Sequence, residues 1–155
     1  EVIDNGHGIS QSNFETLCLK HYTSKLQEFE DLPNVETFGF RGEALSSLCA
    51  LSNLSVTTCE KGNTVGWKLE YDSHGRLAKQ AQYSRQVTIG HNNLAMLFLI
   101  ICFNILFKPG TTVMLCNLFH SLPVRHKEFI KNLKREFNKM LTVLTGYCLI
   151  SKETR

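Results

Sequence analysis

The two commonest glycine-rich phosphate loops are missing from this sequence. No GxxxxGKS/T and no GxGxxG occurs in its 155 residues, so neither a P-loop enzyme nor a dinucleotide-binding Rossmann domain is supported. There is no CxxC pair, no HExxH and no Cys/His cluster at zinc spacing, which disfavours a protein-ligated metal centre. The six cysteines, Cys18, Cys49, Cys59, Cys102, Cys116 and Cys148, are scattered. Several fall in apolar patterns where Cys acts as a small hydrophobe, and we read them as free thiols in a reducing compartment. A net charge of only +3 gives no compositional case for strong nonspecific DNA binding. Residue 1 is not methionine, nothing reads as a secretory signal, and the chain opens inside a strand-like Glu1-Val2-Ile3. We therefore expect the natural N-terminus to lie upstream. The longest uncharged apolar run, residues 94–107, has 14 residues, short of the roughly 20 a membrane-spanning helix needs. No membrane association is expected.

What is present suits one globular domain, with 43% hydrophobic residues over 155 positions, enough for a real core. Two segments stand out. Asp4-Asn5-Gly6-His7-Gly8 joins a carboxylate, able to accept a hydrogen bond from the exocyclic amine of adenine, to glycines that allow close backbone approach. Phe38-Gly39-Phe40-Arg41-Gly42-Glu43-Ala44-Leu45 runs into apolar residues at helical spacing. A helix starting near Gly42 is expected, with first-turn N–H groups suited to phosphate.

Asp4-x-Gly6-x-Gly8, Lys20-His21-x-Thr23-Ser24-Lys25 and Gly39-Phe40-Arg41-Gly42-Glu43-Ala44-Leu45 resemble three successive motifs of MutL-type mismatch-repair proteins, members of the GHKL ATPases. Leu122-Pro123-Val124-Arg125-His126-Lys127-Glu128-Phe129 points to the PMS branch. The resemblance implies an α+β, two-layer sandwich of the Bergerat type, with a mixed, mostly antiparallel sheet and helices on one face. It implies an ATP site made of Asp4, Asn5, Gly6, Gly8, Thr23, Ser24, Lys25, Gly39, Phe40, Arg41, Gly42, Glu43, Ala44, Leu45 and Thr111. Thr23, Ser24 and Lys25 also admit a plain reading as an exposed helix end; the resemblance favours phosphate contacts. Glu43 is assigned to the phosphate loop and not to a catalytic base.

Local signals organise the rest. Ser12-Asn13-Phe14-Glu15 has the form of a capping box, predicting a short helix near residues 12–21. Residues 27–34 form an acidic, proline-containing surface segment, the ATP lid by resemblance. Leu54, Val56 and Thr58, then Val65, Trp67, Leu69 and Tyr71, alternate as an antiparallel hairpin, with residues 76–82 returning as a third strand. Trp67 and Tyr71 are expected in the core sooner than on a ligand. Gly110-Thr111-Thr112-Val113 starts another strand. Beyond Pro123, Phe129, Ile130, Leu133, Phe137, Met140, Leu141, Leu144 and Cys148 mark one amphipathic helix. Lys127, Lys131, Lys134, Arg135 and Lys139 lie on its other side, as an ordinary solvated face sooner than a DNA-contacting strip.

Residues 87–108 break the resemblance as an apolar insertion. Val codons begin GT, one Lys codon ends AG, and the segment runs from Val87 to Lys108, so we read it as an unspliced in-frame intron. A membrane-dipping hairpin or a partner-binding segment is the alternative. If translated, it is an aggregation hazard.

By resemblance, residues 1–155 are an incomplete GHKL ATP-binding domain. The Mg²⁺-binding Asn and water-activating Glu of the family are expected upstream and the transducer domain downstream. No catalytic residue is therefore assigned, and unaided ATP turnover is not expected, since positioning of water and metal carries phosphoryl transfer. For the intact protein the resemblance implies nucleotide-driven clamp closure in DNA mismatch repair, with ATP and Mg²⁺ as cofactors and a nuclear location. Implied partners are a second MutL homologue as heterodimer partner, mismatched DNA and a MutS-type complex. The alternative is an inactive, truncated or pseudogene-like product acting at most as a partner-binding module. Nuclease activity is not assignable to these residues.

Overall fold

The computed structural model describes residues 1–25, 30, 33, 39, 41–83 and 109–150. Most of the expected lid (27–34), Phe40 and the insertion (87–108) lie outside the described residues. The chain divides into two units, Glu1–Leu118 and Phe119–Arg155.

The first unit is built on a five-stranded sheet: β1 (Val2–Ile3), β2 (Asn53–Cys59), β3 (Gly66–Tyr71), β4 (Leu77–Tyr83) and β5 (Gly110–Cys116). The strand order is β1-β5-β2-β3-β4, and every pairing is antiparallel. β2, β3 and β4 form the expected meander. β5 enters between β1 and β2, which no local pattern announced.

Alternation along β2 buries Leu54, Val56 and Thr58, as period-two strands with one packed face require. Across the β2–β5 ladder these residues face Leu115, Val113 and Thr111 in turn. Two apolar rungs are thus followed by a threonine rung. α1 (Ala44–Leu51) packs against β2. Its Cys49 joins Phe14, Cys18, Leu54, Val56, Leu69 and Tyr71 in one core. The Tyr71 hydroxyl donates to the Phe14 carbonyl at 2.8 Å, and Trp67 meets the Phe14 ring edge-on at 6.3 Å. Both aromatics serve packing, as expected. Burial pushes the Tyr71 hydroxyl pKa up.

Residues 12–21 do not form the expected helix. Only a 3₁₀ turn, Gln11–Asn13, is present; its N-cap is Ser10, with no side-chain cap bond. Ser12 Oγ is 3.4 Å from Ser10 Oγ, so the capping box is not made.

The second unit holds α2 (Pro123–Lys131) and α3 (Leu133–Ile150), two helices where one was expected. Pro123 sits in the first turn of α2, where its missing N–H costs nothing. The break falls at Asn132 (φ −106°, ψ 15°), whose side-chain amide donates to the Glu128 carbonyl at 3.0 Å. Such local competition for backbone acceptors is typical of Asn.

Candidate functional site

In the first unit, three backbone segments converge on a cleft of about 720 Å³. The loop after β1 is fixed first. Asp4 donates its N–H to the Thr111 carbonyl at 2.8 Å. Asp4 Oδ1 in turn accepts the N–H of Thr111 at 3.0 Å and that of Gly6 at 2.9 Å. Further on, Lys61 N donates to the His7 carbonyl at 2.8 Å. Ile9 N donates to Thr58 Oγ1 at 2.9 Å. Thr58 Oγ1 also lies 3.2 Å from Thr111 Oγ1, with both residues buried. The threonine rung therefore ties the loop, β2 and β5 into one polar cluster, which satisfies groups that burial would otherwise penalise.

The second contact joins the start of α1 to residues 21–25. His21, at φ 67°, donates its N–H to the Gly42 carbonyl at 3.1 Å. Gly42 has φ 65°, and a Cβ there would collide with the Tyr22 carbonyl. Gly8, at φ 78°, likewise leaves no room for a Cβ against the Cys59 carbonyl. Glycine at these two positions is required by the protein's own backbone; at Gly8 the sequence had suggested approach to a ligand, and at Gly42 a helix start. Gly39 differs: a Cβ there would meet nothing among the described residues.

Of the residues expected from the sequence, Gly8, Thr23, Ser24, Lys25, Gly39 and the run Arg41, Gly42, Glu43, Ala44 and Leu45 line the cleft. Asp4, Asn5, Gly6 and Thr111 do not line it; Asp4, Gly6 and Thr111 form the hydrogen-bonded base from which the loop carries His7, Gly8 and Ile9 to its wall. Phe40 lies outside the described residues.

Sequence reasoning missed His7, Ser10, Asn13, Tyr22 and Glu60 in the lining, and it missed Thr58. The signal for Thr58 was available: a hydroxyl stands where the Leu54, Val56 alternation calls for another hydrophobe. Chemically, the cleft offers two cations, Lys25 and Arg41, and the Thr23 and Ser24 hydroxyls. It also offers the Ala44 and Leu45 amides, which as first-turn groups of α1 have no intrahelical acceptor. Lys25 N donates to Thr23 Oγ1 at 3.2 Å, and Glu43 Oε1 lies 3.6 Å from His21 Nδ1. This is a donor set for an anion, in a volume within the range of small-molecule sites.

No family model matches the chain. Over 155 residues it is 50% identical to the mismatch repair endonuclease PMS2 of Gallus gallus, an alignment spanning 100% of this chain and 15% of that relative. The crystal structure of the N-terminal domain of a DNA repair protein matches with a TM-score of 0.64 and 44% identity, over 94% of this chain and 34% of that one. The Aquifex aeolicus MutL ATPase domain complexed with ADP matches with a TM-score of 0.52 and 22% identity, over 95% of this chain and 41% of that one. At that identity the likeness establishes the fold: the antiparallel sheet and helices are the α+β GHKL architecture of MutL ATPase domains.

Proposed function

The chain is related along its whole length to PMS-type mismatch-repair proteins, and from that premise we propose that its cleft binds ATP and that the intact protein is a nucleotide-driven clamp in DNA mismatch repair. The observation that carries this reading is the convergence of Lys25, Arg41 and the first turn of α1 on one cleft, beside a loop anchored by Asp4. In this reading the cations and first-turn amides face the triphosphate. By the family resemblance Asp4, at the base of the loop and not on the cleft wall, is assigned the adenine amine, its carboxylate having acceptor sites for about four donors. Two of those donors are the Gly6 and Thr111 amides, which aim the group. Thr111, through its amide and the Thr58 contact, holds Asp4 in place. ATP supplies the phosphoanhydride charge that a closing lid would sense, and Mg²⁺ accompanies it as counter-ion. No protein ligand to the metal and no catalytic base is assigned. A second MutL homologue, mismatched DNA and a nuclear location belong to the same proposal for the intact protein.

Calorimetric titration of the chain with Mg-ATP tests the reading, with Asp4→Asn and Arg41→Gln as variants. Wild-type binding is expected, lost or weakened in both. Absence of binding by folded wild type would leave an interaction module at most, and equal binding by Asp4→Asn would remove the adenine contact.

A further inference from the structure

Cys18 and Cys49 are free thiols, distant in sequence, that the fold brings together. Cys18 lies in the turns that follow Gln11–Asn13, and Cys49 lies in the second half of α1. Both are shut away from solvent, at 0% and 2% exposure. They share the core with Phe14 and Tyr71, and their side chains are hydrogen-bonded to each other. That bond, followed by burial, pushes the Cys18 thiol pKa up, and the same bond lowers that of Cys49. Cys18 therefore keeps its proton, and Cys49 is the readier nucleophile of the two. The other described cysteines are placed otherwise. Cys59 is buried outside this core cluster, its Sγ donating to the Asn63 carbonyl at 3.5 Å, and Cys116 and Cys148 are exposed.

We propose that Cys18 and Cys49 are a reversible redox pair, which a hydroperoxide closes to a disulfide. With hydrogen peroxide, the Cys49 sulfur attacks one peroxide oxygen and the O–O bond breaks; the thiol proton joins the departing hydroxide as water, leaving Cys49 as a sulfenic acid. The Cys18 sulfur then attacks the Cys49 sulfur. The S–S bond forms, the S–O bond breaks, and the sulfenic hydroxyl leaves with the Cys18 proton as a second water. The two thiols give up two electrons, and the peroxide takes them. Burial slows the first step, since the oxidant must enter through a local opening. Residues 14–21 are turns and a bend, with no helical ladder to break, so the Cys18 side opens at lower cost than α1. Adjacency decides the product: a sulfenic acid formed beside a thiol condenses with it before further oxidation. The closed pair also joins two walls of the cleft. Thr23 and Lys25 follow Cys18, Ala44 and Leu45 belong to the helix of Cys49, and the His21 amide already bonds the Gly42 carbonyl between them at 3.1 Å. A covalent tie beside that bond restrains its opening, whatever ligand the cleft takes.

The test is peptide mapping of the folded 155-residue chain after brief treatment with hydrogen peroxide, remaining thiols being blocked before digestion with trypsin. Cleavage after Lys20, Arg41 and Lys61 places Cys18 in peptide 1–20 and Cys49 in peptide 42–61, which also holds Cys59. The two peptides are expected joined, lighter by two hydrogens than their sum, in wild type and in Cys59→Ser, and separated again by dithiothreitol. Cys49→Ser is expected to lose the link. Wild type unfolded in urea is the control that needs no variant, and there the same treatment is expected to scatter pairing over all the cysteines. Exchange of the His21 amide, followed by NMR, is expected to slow once the folded wild type is oxidised. Peroxide that modifies other cysteines while Cys18 and Cys49 stay reduced would overturn the proposal, as would a link that survives in Cys49→Ser or the same scatter with and without urea. Unchanged His21 exchange in the linked protein would remove the restraint on the cleft walls.

Discussion

Asp4 and Thr111, 107 positions apart, exchange reciprocal hydrogen bonds: the Asp4 amide to the Thr111 carbonyl at 2.8 Å, and the Thr111 amide to Asp4 Oδ1 at 3.0 Å. The carboxylate expected to read a base is thus first a structural clasp between the loop after β1 and the start of β5. Asp4→Ala removes the acceptor of two amides, one on the buried Thr111, and should cost about 1–3 kcal/mol, the usual penalty for an orphaned buried donor. Asp4→Asn retains a carbonyl oxygen in the Oδ1 position and should cost less. Urea unfolding midpoints compare the two; no loss in Asp4→Ala would mean that the clasp contributes nothing, and an equal loss in Asp4→Asn that the retained oxygen does not serve it.

Thr58 is the second place where stability and site coincide. Its hydroxyl accepts the Ile9 amide and approaches Thr111 Oγ1. Thr58→Val keeps the shape and deletes the acceptor, so destabilisation of about 1–3 kcal/mol is expected, with the loop at 7–9 loosened. Thr58→Ser keeps the hydroxyl and should recover most of the loss. Amide hydrogen exchange at Ile9 is the local readout. Protection unchanged in the valine variant would contradict the assignment.

Gly42 and Gly39 should respond oppositely to alanine. At Gly42 the left-handed backbone alone costs a non-glycine residue about 1–2 kcal/mol, and the collision with the Tyr22 carbonyl adds to it. Gly42→Ala is therefore expected to lower the thermal midpoint and to disturb residues 22–25. Gly39→Ala meets no described atom and should leave stability within about 0.5 kcal/mol of wild type, as substitutions away from packed features usually do. If the cleft binds ATP, Gly39→Ala should still weaken binding, because the added methyl stands on its wall. Stability lost at Gly39 and spared at Gly42 would reverse the reading.

The parts of this fold that were legible were those set by local periodicity. The alternation of Leu54, Val56 and Thr58 with Trp67, Leu69 and Tyr71 gave the hairpin, and the apolar spacing after Gly42 gave α1. The position of β5 was not legible, because its pairing with β1 depends on contacts between residues more than 100 apart. The failed helix near residues 12–21 rested on a misleading spacing. Phe14 and Cys18, four apart and both buried, imitate a helical stripe. The segment instead runs as a 3₁₀ turn and further turns, whose burial is set by tertiary contacts, the Tyr71 hydroxyl on the Phe14 carbonyl among them. The cleft was legible from its motifs down to most of its lining, but the reasons for two of its glycines were not. A motif records that glycine is needed, not whether ligand or backbone requires it.

The β3–β4 turn allows a prediction about pH. Asp72 Oδ1 accepts the Arg76 amide at 2.8 Å and the His74 amide at 2.9 Å, and the bond from Arg76 leads in holding its carboxyl below the usual aspartate range. Gly75, at φ 78° in the same turn, abuts the Cys18 carbonyl, so the turn supports the underside of the core. A pKa lower in the folded state means that the folded protein binds the proton less readily than the unfolded chain. The contribution is therefore fully present above the unfolded aspartate value, and it is lost as pH falls through the depressed folded value. Asp72→Asn cannot titrate. The stability gap between wild type and this variant should hold constant around neutrality and shrink in acid, whereas carboxylates common to both cancel in the difference. Urea midpoints for the pair from neutral pH downward measure it, and a gap that stays constant into acid would show that the Asp72 charge contributes nothing to the turn.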